Sequence, residues 1–309
     1  MRENIEGIVG TDNVVKKPSY VIARCTVESL QQFDEIITEC KKYYKDLYEN
    51  KYPHLIYCYR GQKRAGWELT PSIARNIANN SGGLQKYESN LIKAFRDKSI
   101  LSTDNSRITI NNIMEAQHHG IPTRMLDVTT CYYVALWFAC EYCLQSNGKA
   151  SDGEVFIIPC LNERNKDFEE YIISQIEDYD RITKLSPEEF QKELNKHGIE
   201  KHRGMKPFEV VNYSELYKYK RIENQQGHGI LVPMKNYESK GTKRIVNTKY
   251  SHISKCNMIS IKIKAKSKDA IRKSLNEKKP SINEAFLFEN DLEHLGKYIT
   301  DTYIQKAKE

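Results

Sequence analysis

Apolar residues recur at helical spacing in several segments of this chain, and continuous apolar runs lie between those segments. Thr26 is the expected N-cap of the first helix. The segment around Trp137 is apolar on nearly every side, which predicts a helix buried in the core. The predicted helices, in chain order, run from about Val27 to Asn50, Leu84 to Lys98, Ile110 to His119, Cys131 to Gln145, Ser267 to Lys278 and Asn290 to Ala307.

Short runs rich in apolar and β-branched residues, bounded by Gly, Pro or Asn, predict strands. The run from Leu55 to Tyr59 is followed directly by Arg60-Gly61, so we expect a buried strand that delivers a charged residue at its end. Strands and helices together indicate a mixed α and β fold. The predicted strands run from Tyr20 to Ala23, Leu55 to Tyr59, Glu154 to Pro159, Phe208 to Val211, Gly229 to Pro233 and Met258 to Ile263.

A charged stretch at about 162–206 predicts a helical insertion between two of these strands. Its clearest helix begins at Ser186, an N-cap followed by Pro187 and by Glu189 of a capping box. No repeat, low-complexity tract or long Pro/Gly/Ser-rich linker divides the chain. We therefore expect a single domain over residues 1–309.

Composition narrows the function only slightly. The 48 Lys and Arg residues against 41 Asp and Glu leave a formal charge of +7, which favours nucleic acid, nucleotide phosphates or an acidic partner. Because basic and acidic residues are interleaved along the chain, this charge pattern is also typical of an ordinary solvated surface. The polar start, the lack of a run long enough to span a membrane and the cysteines in apolar segments predict a cytoplasmic protein without disulfides or metal.

Three polar stretches could carry chemistry. The first is Tyr59-Arg60-Gly61-Gln62, where an Arg at the end of a strand can bind a phosphate and the Gly lets a ligand approach the backbone. The alternative is that Arg60 clamps a carboxylate or a loop carbonyl.

The second stretch, residues 115–129, contains an unusual density of polar side chains beside the apolar helix that follows. Arg124 and Asp127 could equally form a structural ion pair, and histidines are favoured at a helix C-terminus. The polar side chains are Gln117, His118, His119, Thr123, Arg124, Asp127 and Thr129.

The third stretch, residues 221–229, offers uncharged donors and acceptors directly before a predicted strand. They belong to Asn224, Gln225 and Gln226, with Gly227 and Gly229 beside them. A solvated turn is the alternative.

Together these stretches resemble the FRG domain, a largely bacterial family named for a Phe/Tyr-Arg-Gly motif, here Tyr59-Arg60-Gly61. The family's His-x-Gly-x-Pro-Thr-Arg-x-Leu-Asp stretch matches 118–127, and its Ala-Leu-x-Phe-Ala helix matches 135–139. Gln-Gln-Gly at 225–227 and a closing Leu-Phe-x-x-Asp-Leu at 287–292 extend the likeness, with Glu289 where the family usually has Pro.

The order of these pieces is also similar to that in ADP-ribosyltransferases of the Arg-Ser-Glu type. The resemblance implies a split antiparallel β-sheet core surrounded by helices, and it implies NAD as the substrate. It implies that Arg60 holds NAD and that the Thr129 hydroxyl orients the ring of the bound NAD. It also implies that Gln225 or Gln226 takes the place of the third catalytic residue, which lies over the ribose 2′-hydroxyl. That residue is usually a carboxylate, and Glu223 is a nearby candidate.

The same resemblance implies further roles for neighbouring residues. His118 and His119 would position the ribose or move a proton, and Asp127 would fix a histidine tautomer. Contacts to NAD are expected from the Tyr-Arg-Gly motif and from the Pro-Thr-Arg part of the stretch 118–127. The residues are Tyr59, Arg60, Gly61, Gln62, Thr123 and Arg124.

Three functions stay open on the sequence alone. The first is NAD-dependent ADP-ribosyl transfer or NAD cleavage, by a toxin or phage-defence effector that modifies nucleic acid or protein and is covered by an antitoxin or regulator. The second is a non-catalytic nucleotide or partner sensor that uses Arg60. The third is a nuclease in which His118, His119 and Asp127 bind a divalent metal.

Overall fold

The computed structural model describes residues 14–17, 20–48, 51–67, 69–75, 83–98, 107–162, 166–197, 208–209, 211–212, 219–239, 242–247, 258–292 and 294. The predicted helix from Asn290 to Ala307 lies outside the described residues except at 290–292 and 294. In the described part of the chain, no helix combines the length and apolarity needed to cross a membrane.

Nine described strands form one mixed sheet, in the order β1-β2-β11-β5-β3-β4-β8-β7, and β6 pairs with β5 off this path. Neighbours are antiparallel except β2 with β11 and β5 with β6. The strands are β1 (Val14–Lys17), β2 (Tyr20–Val27), β3 (Leu55–Gln62), β4 (Met125–Thr129), β5 (Gly153–Leu161), β6 (Phe208–Glu209), β7 (Val211–Asn212), β8 (Gly227–Leu231) and β11 (Met258–Ile263). A separate hairpin joins β9 (Met234–Ser239) to β10 (Thr242–Asn247).

Eleven α-helices surround the sheet in the part of the chain that the structure describes. Together with the strands they make the fold a mixed α+β fold, as the sequence predicts. The helices are α1 (Leu30–Tyr48), α2 (Ser72–Arg75), α3 (Glu88–Lys98), α4 (Ile110–His118), α5 (Tyr132–Ala139), α6 (Lys166–Glu177), α7 (Tyr179–Ile182), α8 (Pro187–Lys196), α9 (Lys220–Asn224), α10 (Lys268–Asn276) and α11 (Glu284–Leu287).

The largest hydrophobic core lies between the sheet and helices α1, α5 and α10. Helix α5 is buried almost all round, as its sequence predicts, with Val134, Ala135, Leu136 and Trp137 at most 2% exposed. It lies close against the sheet because two strands present glycine to it. A Cβ on Gly61 of β3 or on Gly153 of β5 would lie 1.8 or 2.0 Å from a carbonyl oxygen of α5.

A second core joins helices α3, α4 and α6 to strands β4 and β8. Helix α6 belongs to the charged stretch at 162–206, yet it contributes the buried residues Tyr171, Ile172 and Ile176. Three described helices, α6, α7 and α8, lie in that stretch. Helix α8 begins with the predicted capping box, in which the Ser186 hydroxyl accepts from Glu189 N at 3.2 Å.

The sheet opens between strands β3 and β4. In the antiparallel pairing of β3 with β4, Tyr59 opposite Thr129 is the one registered pair among the described residues. Continuing that register would bring Arg60 opposite Val128 and Gly61 opposite Asp127, but the strands diverge there. Strand β3 remains fully paired with β5 on its other side, and β4 with β8.

Several element boundaries differ from the predictions. Thr26 and Val27 extend β2 instead of starting a helix, and α1 begins after Ser29, whose hydroxyl accepts from Gln32 N at 3.2 Å. Helix α5 ends at Ala139, well short of the predicted end at Gln145. The hairpin of β9 and β10 was not predicted, because its sequence is largely polar.

Candidate functional site

A cavity of about 260 Å³ lies where β3 and β4 diverge. Its walls come from β3, β4, α4, α5 and α9, with further residues from the loop between α9 and β8 and from the start of β8. The polar side chains that line it are Tyr59, Arg60, Gln117, His118, Asp127, Thr129, Arg221 and Gln225, and the larger apolar ones are Met114, Val134, Phe138 and Ile222. All three polar stretches of the sequence therefore contribute to one cavity.

Arg60 lines this cavity and also bridges the opening of the sheet. Its Nη1 donates a hydrogen bond to the backbone carbonyl of Asp127, on the far side of the gap between β3 and β4. The carbonyl clamp, which the sequence left as an alternative for Arg60, is thus present. It fixes the guanidinium at the cavity wall, where an anion could also be bound.

Gly61 lines the cavity, as the sequence predicts, and it also lets helix α5 pack closely against the sheet. The space that a Gly61 Cβ would occupy lies 1.8 Å from the carbonyl oxygen of Ala135 and 2.9 Å from the nitrogen of Ala139. Since α5 fills that space, a ligand cannot use it. Glycine is required here by the close approach of the helix.

The other two residues of the first motif differ in position. Tyr59 touches the cavity, but its ring packs in the main core against Tyr132, at 5.8 Å between ring centres. Its hydroxyl is buried and has no hydrogen-bond partner among the described residues, and burial raises its pKa well above the ordinary value. Gln62 is buried opposite Glu154 of β5 and does not line the cavity.

A chain of hydrogen bonds connects α4 to β4 at the cavity. Gln117 Nε2 donates to Asp127 Oδ1, and the Thr123 hydroxyl donates to Gln117 Oε1. Thr123 in turn accepts from the backbone nitrogen of Met125 at 3.1 Å. Thr123 therefore positions Gln117 and does not itself line the cavity, whereas the carboxylate of Asp127 is held at its wall.

His118 lines the cavity and is kept neutral. Its ring lies 4.0 Å from that of Tyr219, and burial, followed by the positive charge of Arg221, lowers its pKa to about 4. His119 points elsewhere: its Nε2 lies 3.4 Å from the Tyr219 hydroxyl, which donates to Glu115 at 2.8 Å. His119 does not line the cavity.

Thr129 reaches the cavity with a hydroxyl that already has two backbone partners. Its Oγ1 donates to the carbonyl of Gln225 at 2.6 Å and accepts from the nitrogen of Cys131 at 2.9 Å. These bonds join the start of α5 to the loop that precedes β8. Thr129 thus holds two walls of the cavity together.

Of the three residues proposed for the third catalytic position, the structure brings one to the cavity. Gln225 lines it, and its Nε2 donates to the carbonyl of Leu287 at 3.1 Å. Gln226 turns away with a left-handed φ of 46°, and its Oε1 accepts from Thr130. Glu223 is exposed, pairs with Lys220 at 2.6 Å and lies outside the cavity.

Arg124 lies outside the cavity, contrary to its predicted contact with NAD. It is fully buried, and its Nη2 lies 2.8 Å from Glu88 Oε2, while Nη1 donates to Gln175 at 3.1 Å. The structural ion pair is therefore made with Glu88 of α3 and not with Asp127. It links β4 to α3 and α6, an arrangement that sequence spacing did not reveal.

The sequence analysis missed Arg221 as a cavity residue. Arg221 stands on the short helix α9, and its Nη1 lies 2.9 Å from Asp291 Oδ2. Its presence in the motif-rich stretch 221–229 was a usable signal, but only tertiary packing brings α9 to the cavity.

A metal site is not supported by the described residues. None of them form a group of three or more His, Cys, Asp or Glu side chains that could hold an ion. In particular, Asp127 is bonded to Gln117, while His118 and His119 contact Tyr219. None of the seven described cysteines forms a disulfide bond.

One comparison with known proteins agrees with the resemblance that the sequence motifs indicate. The family model described as FRG domain matches residues 56–148, which include β3, α4, β4 and α5. Neither the curated proteins nor the solved structures contain a match.

Proposed function

Because the family model of the FRG domain matches residues 56–148 of this chain, we propose that the protein binds NAD in the cavity and acts as an ADP-ribosyltransferase-like enzyme. One observation carries the proposal: Arg60, Thr129 and Gln225, which are far apart in the chain, line the same cavity. These are the three positions that the likeness to ADP-ribosyltransferases singles out.

The shape of the sheet also supports the proposal. The cavity lies at the opening between β3 and β4, where the two halves of the sheet share one registered pair in the described part of the chain. An ADP-ribosyltransferase-like fold has a split antiparallel sheet, and we propose that this opening is the split. The sheet here is mostly antiparallel, with parallel neighbours at β2–β11 and β5–β6.

The charges of the cavity suit a nucleotide that carries phosphate. Two guanidinium groups, Arg60 and Arg221, line it together with one carboxylate, Asp127. Its volume of about 260 Å³ is below the range of about 300–1,000 Å³ common for sites that enclose a whole ligand. We propose that the cavity encloses the nicotinamide and its ribose, with the diphosphate at the arginines near the opening.

The reaction would break the bond between the ribose C1′ and the nicotinamide nitrogen. The electron pair of that bond leaves with nicotinamide, and positive charge develops on the ribose until a nucleophile attacks C1′ and loses its proton. Asp127 is the carboxylate that lines the cavity among the described residues, so we assign to it the stabilisation of that charge. Gln225 would orient a ribose hydroxyl.

The nucleophile would come from an acceptor, either nucleic acid or protein, or from water in simple NAD cleavage. The formal charge of +7 favours a nucleic-acid acceptor, although it is spread over the whole chain. A role as a toxin or phage-defence effector in the cytoplasm, controlled by an antitoxin or regulator, is consistent with such an activity and belongs to the proposal.

A second function, nucleotide sensing without turnover, is favoured by two observations. The Thr129 hydroxyl donates to the Gln225 carbonyl, and Glu223 lies outside the cavity, so two groups expected to assist the reaction are engaged elsewhere. In that case the arginines would bind the nucleotide and nothing would react.

Nicotinamide release from NAD tests the proposal. Purified wild type is compared with Arg60→Lys and Asp127→Asn, each with and without DNA, RNA and a protein lysate. Arg107→Gln is the matched control, because Arg107 forms exposed ion pairs with Glu170 and Glu177 and does not line the cavity.

Release by the wild type and the control, with at least tenfold less from both cavity variants, would support the enzyme. Stabilisation by NAD without release would support the sensor instead. If folded wild type neither releases nicotinamide nor binds NAD, both functions are wrong.

A further inference from the structure

The closing segment, residues 286–291, holds one wall of the cavity. The Asn224 side chain donates to the Phe286 carbonyl at 2.7 Å, and Gln225 donates to the Leu287 carbonyl at 3.1 Å. Both donors stand at the end of α9, next to the loop that leads into β8. The position of α9 relative to the cavity therefore depends on this segment.

The same segment orients Arg221. Its Nη1 donates to Asp291 Oδ2 at 2.9 Å, and its guanidinium lies 5.5 Å from the ring centre of Phe288. In the described part of the chain, its Nη2 and Nε have no hydrogen-bond partner. The side chain is 40% exposed and lines the cavity, so these donors remain available to a ligand.

The surroundings of Arg221 favour an anion. The neighbouring His118 is neutral at physiological pH because burial and the charge of Arg221 lower its pKa to about 4. Asp291 is bonded to Arg221 and to the backbone nitrogen of His294, and it does not line the cavity. With Arg60 on β3 and Asp127 on β4, the cavity wall keeps a net positive charge.

We propose that Arg221 is a second anion-binding residue of the cavity, which contacts the diphosphate of a dinucleotide, and that Asp291 is its positioning residue. Each phosphate of a diphosphate carries a negative charge, so two guanidinium groups match it better than Arg60 alone. The assignment of NAD as the dinucleotide rests on the proposed function, whereas binding of the diphosphate group does not.

Calorimetric titration tests this proposal with three probes: NAD, ADP-ribose and inorganic pyrophosphate. The proteins are wild type, Arg221→Gln and Asp291→Asn. Arg272→Gln is the matched control, since Arg272 also stacks on an aromatic ring, 4.4 Å from the centre of Trp137, and lies near a carboxylate, 4.0 Å from Glu284. Arg272 does not line the cavity.

Arg221→Gln should raise the Kd for every probe that the wild type binds by about tenfold or more, because it removes a charge-assisted contact. Asp291→Asn should raise the Kd about threefold to tenfold, since loss of the ion pair leaves the Arg221 side chain less firmly oriented. Arg221→Gln should show a weaker dependence of Kd on salt than the wild type, whereas Asp291→Asn, which removes a negative charge and no positive one, should not. Arg272→Gln should behave like the wild type.

The outcomes separate this proposal from the proposed function. If the wild type binds pyrophosphate but not NAD, and Arg221→Gln loses that binding, the anion site stands while the NAD function falls. If Arg221→Gln binds NAD as tightly as the wild type, the role of Arg221 is wrong and the NAD function stands. If the folded wild type binds none of the probes, the anion site is overturned.

Discussion

The guanidinium of Arg60 on β3 donates a hydrogen bond to the backbone carbonyl of Asp127 on β4. This contact lies just beyond Tyr59 and Thr129, the registered pair of the two strands. One side chain therefore lines the cavity and also ties its two walls together. A change at Arg60 affects both stability and ligand binding, and the two effects must be measured separately.

Arg60→Met should lower the free energy of unfolding by about 1–2 kcal/mol, because it removes a hydrogen bond from a charged donor across the opening of the sheet. Urea denaturation measures this change. Arg107→Met, which loses only exposed ion pairs, should cost less than about 1 kcal/mol. Equal losses in the two variants would argue against a bridging role for Arg60.

Gly61→Ala should destabilise the protein by about 3 kcal/mol or more, since its Cβ would meet the Ala135 carbonyl oxygen at 1.8 Å and α5 would have to move. Gly148→Ala separates this packing effect from backbone strain. Gly148 has a φ of 77° with nothing within 4 Å of an added Cβ, so this change should cost only about 1 kcal/mol. Thermal unfolding of both variants gives the comparison, and a mild effect at Gly61 would contradict the packing argument.

Tyr59→Phe should leave the free energy of unfolding unchanged or raise it by about 1 kcal/mol, because the buried Tyr59 hydroxyl has no partner among the described residues. Tyr44→Phe is the matched comparison. The Tyr44 hydroxyl donates to the Ile157 carbonyl at 3.3 Å and accepts from Ile259 N at 3.0 Å, so its loss should cost about 1–3 kcal/mol. A clear loss of stability in Tyr59→Phe would mean that the hydroxyl has a partner.

The neutral state of His118 should make the protein less stable in acid. Its folded pKa of about 4 lies below the value of about 6.5 in an unfolded chain. The unfolded state therefore binds more protons between these values, and the stability that His118 contributes is full above pH 6.5 and is lost as the pH falls towards 4.

Denaturation between pH 4 and 7 measures this effect, with His118→Gln as the comparison. Carboxylates also titrate in this window, so the difference between the two proteins is the informative quantity. That difference should shrink as the pH falls, and parallel curves would show that His118 is not responsible.

The spacing of apolar residues, together with the Gly, Pro and capping residues that bound each segment, was sufficient to predict many of the helices and strands. Strand β11 runs from Met258 to Ile263, as predicted, and α4 begins at Ile110 behind a capping box of Thr109 and Asn112. The predicted start of the first helix at Thr26 was wrong. A residue type that is favoured as an N-cap can also extend a strand when a neighbouring strand pairs with that residue. Residues 258–263 of β11 pair with β2 through Val27.

The sequence also indicated which polar residues gather at the cavity. Arg60, His118, Asp127, Thr129 and Gln225 all line it, although their functions remain proposals. Motif order alone could not say how each one is used. The bonds of Thr129 and Arg60 to backbone carbonyls appear only when the strands and the loop before β8 are brought together.

The sequence by itself determined the mixed α and β fold and the buried helix α5, because the spacing of apolar residues reports the environment of each element. Its polar motifs, together with their resemblance to the FRG domain, indicated most of the polar residues around the cavity. Only the tertiary structure decided that Arg124 faces Glu88, that Gly61 lies under α5 and that α9 brings Arg221 to the cavity. These relationships depend on strand pairing and helix packing between residues far apart in the chain. The spacing of residues within one segment cannot predict contacts with residues in distant segments.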